Sequence, residues 1–446
     1  MDNAAKHSKR TLVVAAAGDA LVTAPFPASY DRDKGRIRDY LATAEVRMAN
    51  LETNIGPFGG FASAYSGGTW LNAEPEVLDD LLGYGFNFLG TANNHTMDYS
   101  YGGLLATARA LRARRVAFAG TGRSLAEAGA PAVIRTSAGK VGVVAATTSF
   151  EVASKAGRPS LGSKARPGVN YVRSTRYNAL SPEDFKALGA IVKRSGINAY
   201  HDLMVATGFA KPDEEGVLPV GATLFCREGE RKPSVCHAGD LARIVESIRS
   251  ARRDCAYVFA MLHCHQIDGA RICEPPAFLE ELAHACVDAG AAAVFGGGAH
   301  ELRPVELYHG APIFYSLGDF VYQGMRVKFL PADFMEKYGQ PDNATALEGL
   351  LARSQGGKIG LQAQECNFLT LLPRLTFADG RLAKCEMLPV DLAFTRRDDR
   401  NGLPRPAAPA TARRIFEIVD ALSRPYGTRL SLRGGHIDLD LEEGRA

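Results

Sequence analysis

The sequence predicts a layered α/β fold, because short apolar segments alternate with segments of helical periodicity along the chain. Each apolar segment is followed at once by glycine or by a cluster of polar residues. Four of them are Leu12–Ala17, Phe86–Leu89, Tyr257–Leu262 and Ala291–Phe295. Short runs of this kind are typical of strands that are buried on both faces of a sheet.

Segments between these strands carry the signals of helices. Glu74–Leu82 has Pro75 near its start and is followed by Gly83, which ends it. The apolar residues of Pro276–Cys286 fall on one side at helical spacing, and a further helix is predicted around Leu104–Leu111. In a sheet covered by helices, ligands bind just beyond the carboxyl ends of the strands, so polar residues at those positions are candidates for a site.

The composition excludes several classes of protein. Hydrophobic residues make up 46% and charged residues 23% of the 446 positions, which is close to the globular average and excludes global disorder. The formal net charge is +3, so neither nucleic acid nor a membrane surface is predicted as a partner.

No apolar run approaches the roughly 18 residues that cross a bilayer. Leu12–Ala17 is too short for the core of a signal peptide, and a cytoplasmic protein is therefore predicted.

Changes in composition divide the chain. The predicted divisions are a disordered N-terminus (1–10), a main domain (11–395) that contains an insertion (151–239), and a C-terminal extension (396–446). The insertion is rich in glycine, proline, lysine and arginine, and it is expected to cover the site as a lid or to form an accessory lobe. Arg396–Pro409 is charged and proline-rich, which indicates a linker or surface loop before a helix at Ala410–Ser423.

Residues that commonly bind metals follow several of the predicted strands. They are Asp19, Glu52, Asn94, His95, His263, His265 and His300. A mixed set of carboxylate, amide and imidazole suits Mn²⁺, Fe²⁺ or Zn²⁺ better than Ca²⁺. Because the strands bring these residues to one edge of the sheet, a divalent-metal site used for hydrolysis is predicted there.

Four motifs carry a resemblance to a known family. They are Gly18-Asp19, Asn50-Leu51-Glu52-Thr53, Ala92-Asn93-Asn94-His95-Thr96-Met97-Asp98 and Pro312-Ile313-Phe314-Tyr315-Ser316-Leu317-Gly318-Asp319-Phe320. From Thr11 to Gln323 the chain resembles the capsule-synthesis CapA family, which is associated with poly-γ-glutamate capsules and belongs to the calcineurin-like metallophosphoesterase superfamily. The third and fourth motifs are the specific ones.

This resemblance implies a four-layer α/β/β/α sandwich with one or two metal ions at the sheet edge. By position, Asp19 would bind the first metal and Glu52 would bridge to the second. Asn94 and His263 would bind the second metal, and His300 would match the last histidine of a Gly-His-Gly-Pro-His block. The resemblance gives His95 the role of a catalytic acid, which Asp98 would orient.

The block that ends in His300 departs from the family pattern, because Gly297 stands where an imidazole is expected. Either the second metal lacks one ligand, or a coordination position is open to water or substrate. His265 would compensate if its side chain lies on the same strand face as that of His263. The alternative is that His265 contacts the substrate. The expected number of metal ions is therefore one or two.

Arg303 is predicted to clamp an anionic group of the substrate, since a guanidinium binds carboxylate or phosphate at two points. A surface salt bridge is the alternative for this residue. Tyr315 and Asp319 are expected to shape a loop rather than to take part in the chemistry.

Two functions are compatible with these features. The first is a metal-dependent hydrolase that acts on a phosphoester or a γ-glutamyl-type amide, with a small-molecule or polymeric anionic substrate. The alternative is a non-catalytic or weakly catalytic binding component of poly-γ-glutamate-type polymer synthesis or export, which Gly297 favours. The sequence leaves the oligomeric state open.

Overall fold

The computed structural model describes residues 11–396 and 398–441, so the predicted N-terminal segment 1–10 lies outside the described residues. Strands and helices alternate along this part of the chain. In chain order the strands are β1 (Thr11–Leu21), β2 (Val46–Leu51), β3 (Asn54–Ile55), β4 (Asn72–Ala73), β5 (Phe88–Gly90), β6 (Ala117–Ala119), β7 (Thr121–Gly122), β8 (Ala132–Thr136), β9 (Gly139–Thr147), β10 (Gly168–Val169), β11 (Ser174–Leu180), β12 (Leu218–Val220), β13 (Thr223–Arg227), β14 (Ser234–Cys236), β15 (Tyr257–His263), β16 (Ala293–Gly297), β17 (Val305–Tyr308), β18 (Ala311–Phe314), β19 (Asp319–Tyr322), β20 (Leu369–Ala378), β21 (Arg381–Asp391), β22 (Arg405–Pro406), β23 (Leu430–Arg433) and β24 (His436–Leu439).

The α-helices include one at each predicted helical segment. They are α1 (Asp31–Leu41), α2 (Val77–Leu82), α3 (Ser100–Ala113), α4 (Leu125–Gly129), α5 (Pro182–Ser195), α6 (Ala199–Ala206), α7 (Ala238–Asp254), α8 (Ala277–Asp288), α9 (Ala332–Lys337), α10 (Ala346–Arg353) and α11 (Pro409–Ser423). Among the described residues, no helix is long and apolar enough to cross a membrane.

Two large mixed sheets carry the four predicted strands. In the first, β1 lies between β2 and β20, and the order is β23-β24-β21-β20-β1-β2-β5-β6. The strand β19 also pairs with β1 in parallel, and β22 pairs with β21. The second sheet has the order β17-β18-β16-β15-β9-β8, and its four inner strands are parallel. Parallel strands end at the same edge, which brings their polar C-terminal residues together.

Alternate residues of the strands belong to different hydrophobic clusters. Val14 of β1 belongs to a cluster that also contains Phe259 of the second sheet, whereas its neighbour Ala15 belongs to a cluster that contains residues of α1, α2 and α3. On the second sheet, Val144 packs in a third cluster with Ile244 of α7 and with residues of α8. Burial of apolar side chains on both faces explains why these strands lack polar alternation. The chain has a mixed α/β fold in which the two largest sheets share one hydrophobic core.

The segment predicted as an insertion contains a small sheet of its own. Its strands have the order β12-β13-β11-β14, and α5 and α6 belong to the same segment. The helix α5 begins at the predicted signal, since the Ser181 side chain accepts a hydrogen bond from the backbone of Asp184. Ser234 Oγ donates to Asp268 and links this segment to the loop after β15.

The C-terminal segment is part of the first sheet. The strands β23 and β24 extend that sheet beyond β21, and α11 contributes Ile415 and Val419 to the core between the sheets. The predicted linker Arg396–Pro409 is not a free linker, because Arg405 and Pro406 pair with β21 and Leu403 is buried. Of the two alternatives, this pairing contradicts only the linker, and a pairing of two residues has no periodicity in the sequence.

Candidate metal centre

The predicted site residues meet where strands of both sheets end. Asp19 is in register with Asn50 on β2, and Asn50 is in register with Gly90 at the end of β5. On the second sheet, His263 at the end of β15 is in register with Gly297 at the end of β16. Residues that follow these strands therefore converge on one region, as the strand-end argument predicts.

Asp19 is the fully buried carboxylate of the first strand. Its Oδ1 accepts a hydrogen bond from Asn50 Nδ2 at 2.7 Å, and its Oδ2 accepts one from the backbone N–H of Gly298 at 2.5 Å. Burial alone would raise the pKa of Asp19, but the charge of His263 and the hydrogen bonds with His263 and the backbone of Gly298 outweigh it and lower the pKa. The expectation that the strand ends before Asp19 was wrong: β1 continues to Leu21, with an irregular register between Ala16 and Asp19.

Gly297 lies against this carboxylate. A Cβ atom at position 297 would come within 2.7 Å of Asp19 Oδ2 and closer still to Oδ1. An imidazole therefore has no room at this position while Asp19 keeps its present conformation. The glycine that departs from the family pattern is a steric requirement of the arrangement seen here.

Glu52, which follows β2, is fully buried, and neither of its carboxylate oxygens has a hydrogen-bond partner among the described residues. Three imidazole Nε2 atoms face its Oε1: those of His263 at 3.5 Å, His265 at 3.7 Å and His95 at 3.9 Å. Burial and the negative charge of Asp19 raise the pKa of Glu52 well above its usual range. A bound cation would compensate this carboxylate.

Asn94, His263 and His265 form the centre of the site. Asn94 Oδ1 lies 2.8 Å from His263 Nε2 and 3.1 Å from His265 Nε2, and the two Nε2 atoms are 3.0 Å apart. Glu52, His263 and His265 each offer a ligand atom within 4.8 Å of the others, which makes them a candidate metal-binding site. Burial lowers the pKa of His265 well below its usual range, so its imidazole is in the neutral form that binds metals.

His265 joins this site although β15 ends at His263, so the two side chains do not converge through the alternation of a strand. Instead, Ser149 Oγ accepts a hydrogen bond from the backbone N–H of His265 at 2.8 Å and fixes the chain there. Of the two roles predicted for His265, this position favours the ligand that compensates for Gly297.

His95 and Asp98 lie together as expected. His95 Nδ1 is 2.7 Å from Asp98 Oδ2, and Asp98 also accepts hydrogen bonds from the backbone N–H groups of Gly67 and Leu71. The ring is held so that its Nε2 faces Glu52. The catalytic roles of both residues stay predictions.

The loop that contains Gly67 covers this histidine. The Gly67 carbonyl accepts a hydrogen bond from Asn94 Nδ2 at 3.0 Å, and a Cβ atom at position 67 would come within 2.8 Å of the His95 ring. Only glycine allows the backbone to pass so close to the two side chains.

His300 takes its position from a residue that sequence reasoning assigned to loop structure. His300 Nδ1 lies 2.8 Å from Asp319 Oδ1, which leaves Nε2 as the ring nitrogen available to a metal. Burial disfavours the charged imidazole, but the charge of Asp319 and this hydrogen bond outweigh it and raise the pKa of His300, so a metal that binds Nε2 would have to displace a proton. His300 adopts a left-handed backbone conformation with φ of 58°, and its ring centroid is 5.1 Å from that of His265.

Two asparagines at the site were missed. Asn50 lies between Asp19 and His263, since its Nδ2 donates to Asp19 and is 3.3 Å from His263 Nδ1. Asn93 Nδ2 in turn donates to Asn50 Oδ1 at 3.1 Å. Both residues belong to the motifs that carry the family resemblance. Their positions near Glu52 and Asn94 in those motifs could have identified them as site residues.

Arg303 is fully buried, and its guanidinium donates to the backbone carbonyls of Ile272, Cys264 and Gln266. These contacts fix the loop that carries His265. A surface salt bridge is ruled out by the burial of the side chain, and the predicted clamp on a substrate gains no support from these contacts.

Comparison with known proteins agrees with the motifs. Residues 11–324 match the family described as bacterial capsule synthesis protein PGA_cap. The "uncharacterized protein y4sH" of Sinorhizobium fredii is 30% identical over 427 residues, which cover 94% of this chain and 90% of that protein. The "PGA biosynthesis protein CapA" of Bacillus subtilis is 26% identical over 253 residues, 56% of this chain and 47% of that protein. A "probable polyglutamine synthesis accessory protein" of Mycobacterium tuberculosis is 25% identical over 286 residues, 63% of this chain and 57% of that protein.

The resemblance inferred from the motifs is thereby confirmed, because the matched range contains all four of them and spans more than half of the chain. The chain belongs to the bacterial capsule synthesis protein PGA_cap family.

Proposed function

We propose that the chain is a metal-dependent hydrolase that cleaves a phosphoester or a γ-glutamyl-type amide in an anionic substrate. The observation that carries this proposal is the Glu52 carboxylate, which is fully buried, has no hydrogen-bond partner among the described residues and faces three imidazoles. An ionised, uncompensated carboxylate in such a place costs several kcal/mol, and either a proton or a bound cation removes that cost. A divalent ion among oxygen and nitrogen ligands is the cation that this set of atoms fits.

The proposed ligands are Glu52, Asn94, His263 and His265 for one ion, with Asp19 and His300 available to a second. The mixture of oxygen and nitrogen atoms suits Mn²⁺, Fe²⁺ or Zn²⁺, and we propose one or two ions. Such an ion supplies Lewis acidity, which makes water a nucleophile near neutral pH.

The residues of the chain provide the rest of the chemistry. Asp98 orients His95 through Nδ1, so that His95 Nε2 is the atom placed to give a proton to a leaving group. Asp319 holds His300 in the same way. Neutral His265 has a lone pair to offer to an ion, and the burial of Glu52 strengthens electrostatic interactions within the site.

The proposal extends to the arrangement of layers, the class of substrate and the location in the cell. The sharing of one core by the two large sheets, with helix residues in the clusters on their other faces, supports a four-layer α/β/β/α sandwich. A glutamyl polymer or conjugate as substrate is supported by the names of the relatives. The proposal also includes a cytoplasmic location.

A binding component of polymer synthesis is the second candidate, because the Mycobacterium tuberculosis relative is called an accessory protein. In that case the metal would shape a binding surface, and no substrate would be turned over. The two candidates differ in turnover alone, so an assay of hydrolysis separates them.

The test begins with metal analysis of the purified protein, followed by removal of metal with a chelator and addition of Mn²⁺, Fe²⁺ or Zn²⁺. A generic phosphodiester and γ-glutamyl oligomers serve as substrates. We expect turnover that depends on added metal, and loss of both metal and turnover in Glu52→Gln. The exposed Glu336→Gln is the matched control. Metal binding without turnover of either substrate class would favour the binding component, and failure to bind any of these metals would reject both.

A further inference from the structure

The inserted segment contains an unbalanced run of positive charge. Residues 155–176 include six lysines and arginines and no aspartate or glutamate. They are Lys155, Arg158, Lys164, Arg166, Arg173 and Arg176. The formal net charge of the whole chain is only +3, so this short segment concentrates charge that is compensated elsewhere. We call these residues, together with Arg243 of α7, the cationic track.

The track begins beside the metal centre. His263 of β15 is in register with Thr147 at the end of β9, and Tyr171 forms a bridge with Thr147 on the far side. Tyr171 therefore lies two strand spacings, or roughly 10 Å, from His263. Ser149, between Thr147 and the track, receives the backbone hydrogen bond of His265. The track therefore starts close to the end of β15 that carries His263.

Three cations of the track surround one aromatic ring. Lys155 Nζ lies 5.6 Å from the centroid of the Tyr171 ring, Arg173 Cζ lies 5.7 Å from it and Arg243 Cζ lies 5.2 Å from it. Burial lowers the pKa of Arg243, the charge of Asp240 opposes this shift, and the charges of Arg173 and Arg158 add to it. Cations held this close repel one another, and an anionic ligand would relieve that repulsion.

Carboxylates of the protein compensate little of this charge. Asp240 pairs with Arg173 at 2.7 Å and lies 4.0 Å from Arg243. Among the described residues, no carboxylate lies within 4.0 Å of the other five side chains of the track, and Arg158, Lys164, Arg166 and Arg176 are exposed. Most of the track is therefore open to a ligand from solution.

We propose that the cationic track is a second binding site, outside the metal centre, for a chain of repeated carboxylates. It favours a glutamyl polymer with free carboxylates over its neutral amide counterpart, and a long chain over a short one. This inference rests on the proposed function for the identity of the polymer, but the binding itself requires no turnover. Because the attraction is electrostatic between exposed groups, added salt weakens it.

The test measures binding of fluorescently labelled γ-glutamyl oligomers by anisotropy, with the full-length protein and no added metal. The double variant Arg158→Glu/Lys164→Glu reverses two exposed charges, and Arg413→Glu, exposed on α11, is the control. Circular dichroism and thermal melting establish that all three proteins are folded alike. We expect the double variant to bind a long acidic oligomer about tenfold more weakly or worse, from two or more lost pairs, and the control to bind it as the wild type does.

Three further arms decide between ligands. A γ-glutamyl dimer and a long γ-glutaminyl oligomer should bind the wild type weakly, and the double variant should not alter their binding. A polyphosphate of similar length that binds as tightly as the acidic oligomer would overturn the selectivity for carboxylates. Equal binding of the acidic oligomer by wild type and double variant would overturn the site itself.

These results are separable from those of the hydrolysis assay. If the protein turns over nothing but the double variant loses the oligomer, the second site stands and the proposed hydrolase does not. If a small phosphodiester is hydrolysed equally by both proteins while oligomer binding is also equal, the hydrolase stands and the second site does not.

Discussion

The Nε2 atoms of His263 and His265 lie 3.0 Å apart, and both face Asn94 Oδ1. Two facing Nε2 atoms form a hydrogen bond only if one of them carries a hydrogen and the other does not. A metal ion, by contrast, can accept the lone pairs of both. We therefore expect His265→Ala to lower metal affinity by at least roughly tenfold, as removal of ligands or their supporting groups does in other metal sites. Titration calorimetry measures the metal affinity of the variant and of the wild type. The control is His201→Ala on the inserted segment, and wild-type affinity in His265→Ala would remove this residue from the ligand set.

A second prediction concerns the space beside Asp19. Gly297→Ala places a methyl group against the Asp19 carboxylate, so either the carboxylate or the strand β16 must shift. We expect a loss of stability of about 1–3 kcal/mol, as overpacking of a core produces, together with weaker metal binding. Chemical denaturation and metal titration measure the two effects.

The matched control for Gly297→Ala is Gly102→Ala, which adds the same methyl group to α3 where no atom lies within 4 Å. That change should be neutral or stabilising by up to about 1 kcal/mol, since alanine is the better helix former. The prediction is wrong if the Gly297→Ala protein is as stable as the Gly102→Ala protein and binds as much metal. The contact between a Cβ atom at position 297 and the Asp19 carboxylate would then have no consequence.

The third prediction separates two roles of Arg303. If the guanidinium fixes the loop of His265 through the three carbonyls, Arg303→Met leaves those acceptors unpaired and costs about 3 kcal/mol or more. Arg303→Lys keeps the charge but cannot reach three acceptors, so it should recover only part of the loss. A clamp on the substrate would behave differently: KM would rise while the melting temperature stayed unchanged.

A fourth prediction uses a pair remote from the metal centre. His284 Nε2 lies 2.9 Å from Glu306 Oε2, and this hydrogen bond raises the pKa of His284 above its ordinary value of 6.5. The group holds its proton more tightly in the folded state. Its contribution to stability is thus fully present below about pH 6.5 and is lost as the pH rises through the folded-state pKa.

His284→Asn should accordingly cost more stability at pH 5.5 than at pH 9, as measured by denaturant unfolding at each pH. The comparison protein is His201→Asn, whose histidine is half-exposed on the inserted segment. A cost for His284→Asn that is the same at both pH values would show that the pair is not ionic in the folded protein.

Sequence reasoning predicted that the candidate residues come together, because strand ends are readable in the sequence and parallel strands end at one edge. Asp19, Glu52, Asn94, His263 and His300 all lie at or just after runs that form β1, β2, β5, β15 and β16. The same reasoning placed the end of β1 too early, because a glycine and an aspartate inside a run resemble its end. In the structure, Asp19 lies within β1, and the register of this strand with β2 is irregular between Ala16 and Asp19.

Other parts of the site depend on contacts between residues far apart in sequence. Asp319 meets His300 from the strand that pairs with β1, and nothing local marks it as the partner of a histidine. Arg303 was predicted to clamp the substrate or to form a surface salt bridge. Its burial against three carbonyls was not foreseen, because arginines are rarely buried and these carbonyls belong to a loop without periodicity. The role of Gly297 likewise follows from a distance and not from a pattern.

The proposed ligands of the candidate metal centre come from both large sheets. Asp19, Glu52 and Asn94 belong to the first sheet or to the turns that follow its strands, whereas His263 ends a strand of the second sheet and His265 and His300 follow its strands. An ion held by both groups would act as a non-covalent cross-link between the two halves of the core. Binding and folding are then thermodynamically linked, and at a free metal concentration of about one hundred times Kd the native state gains about 2.7 kcal/mol. The resistance of the folded chain to unfolding thus becomes a measure of how much metal its surroundings supply.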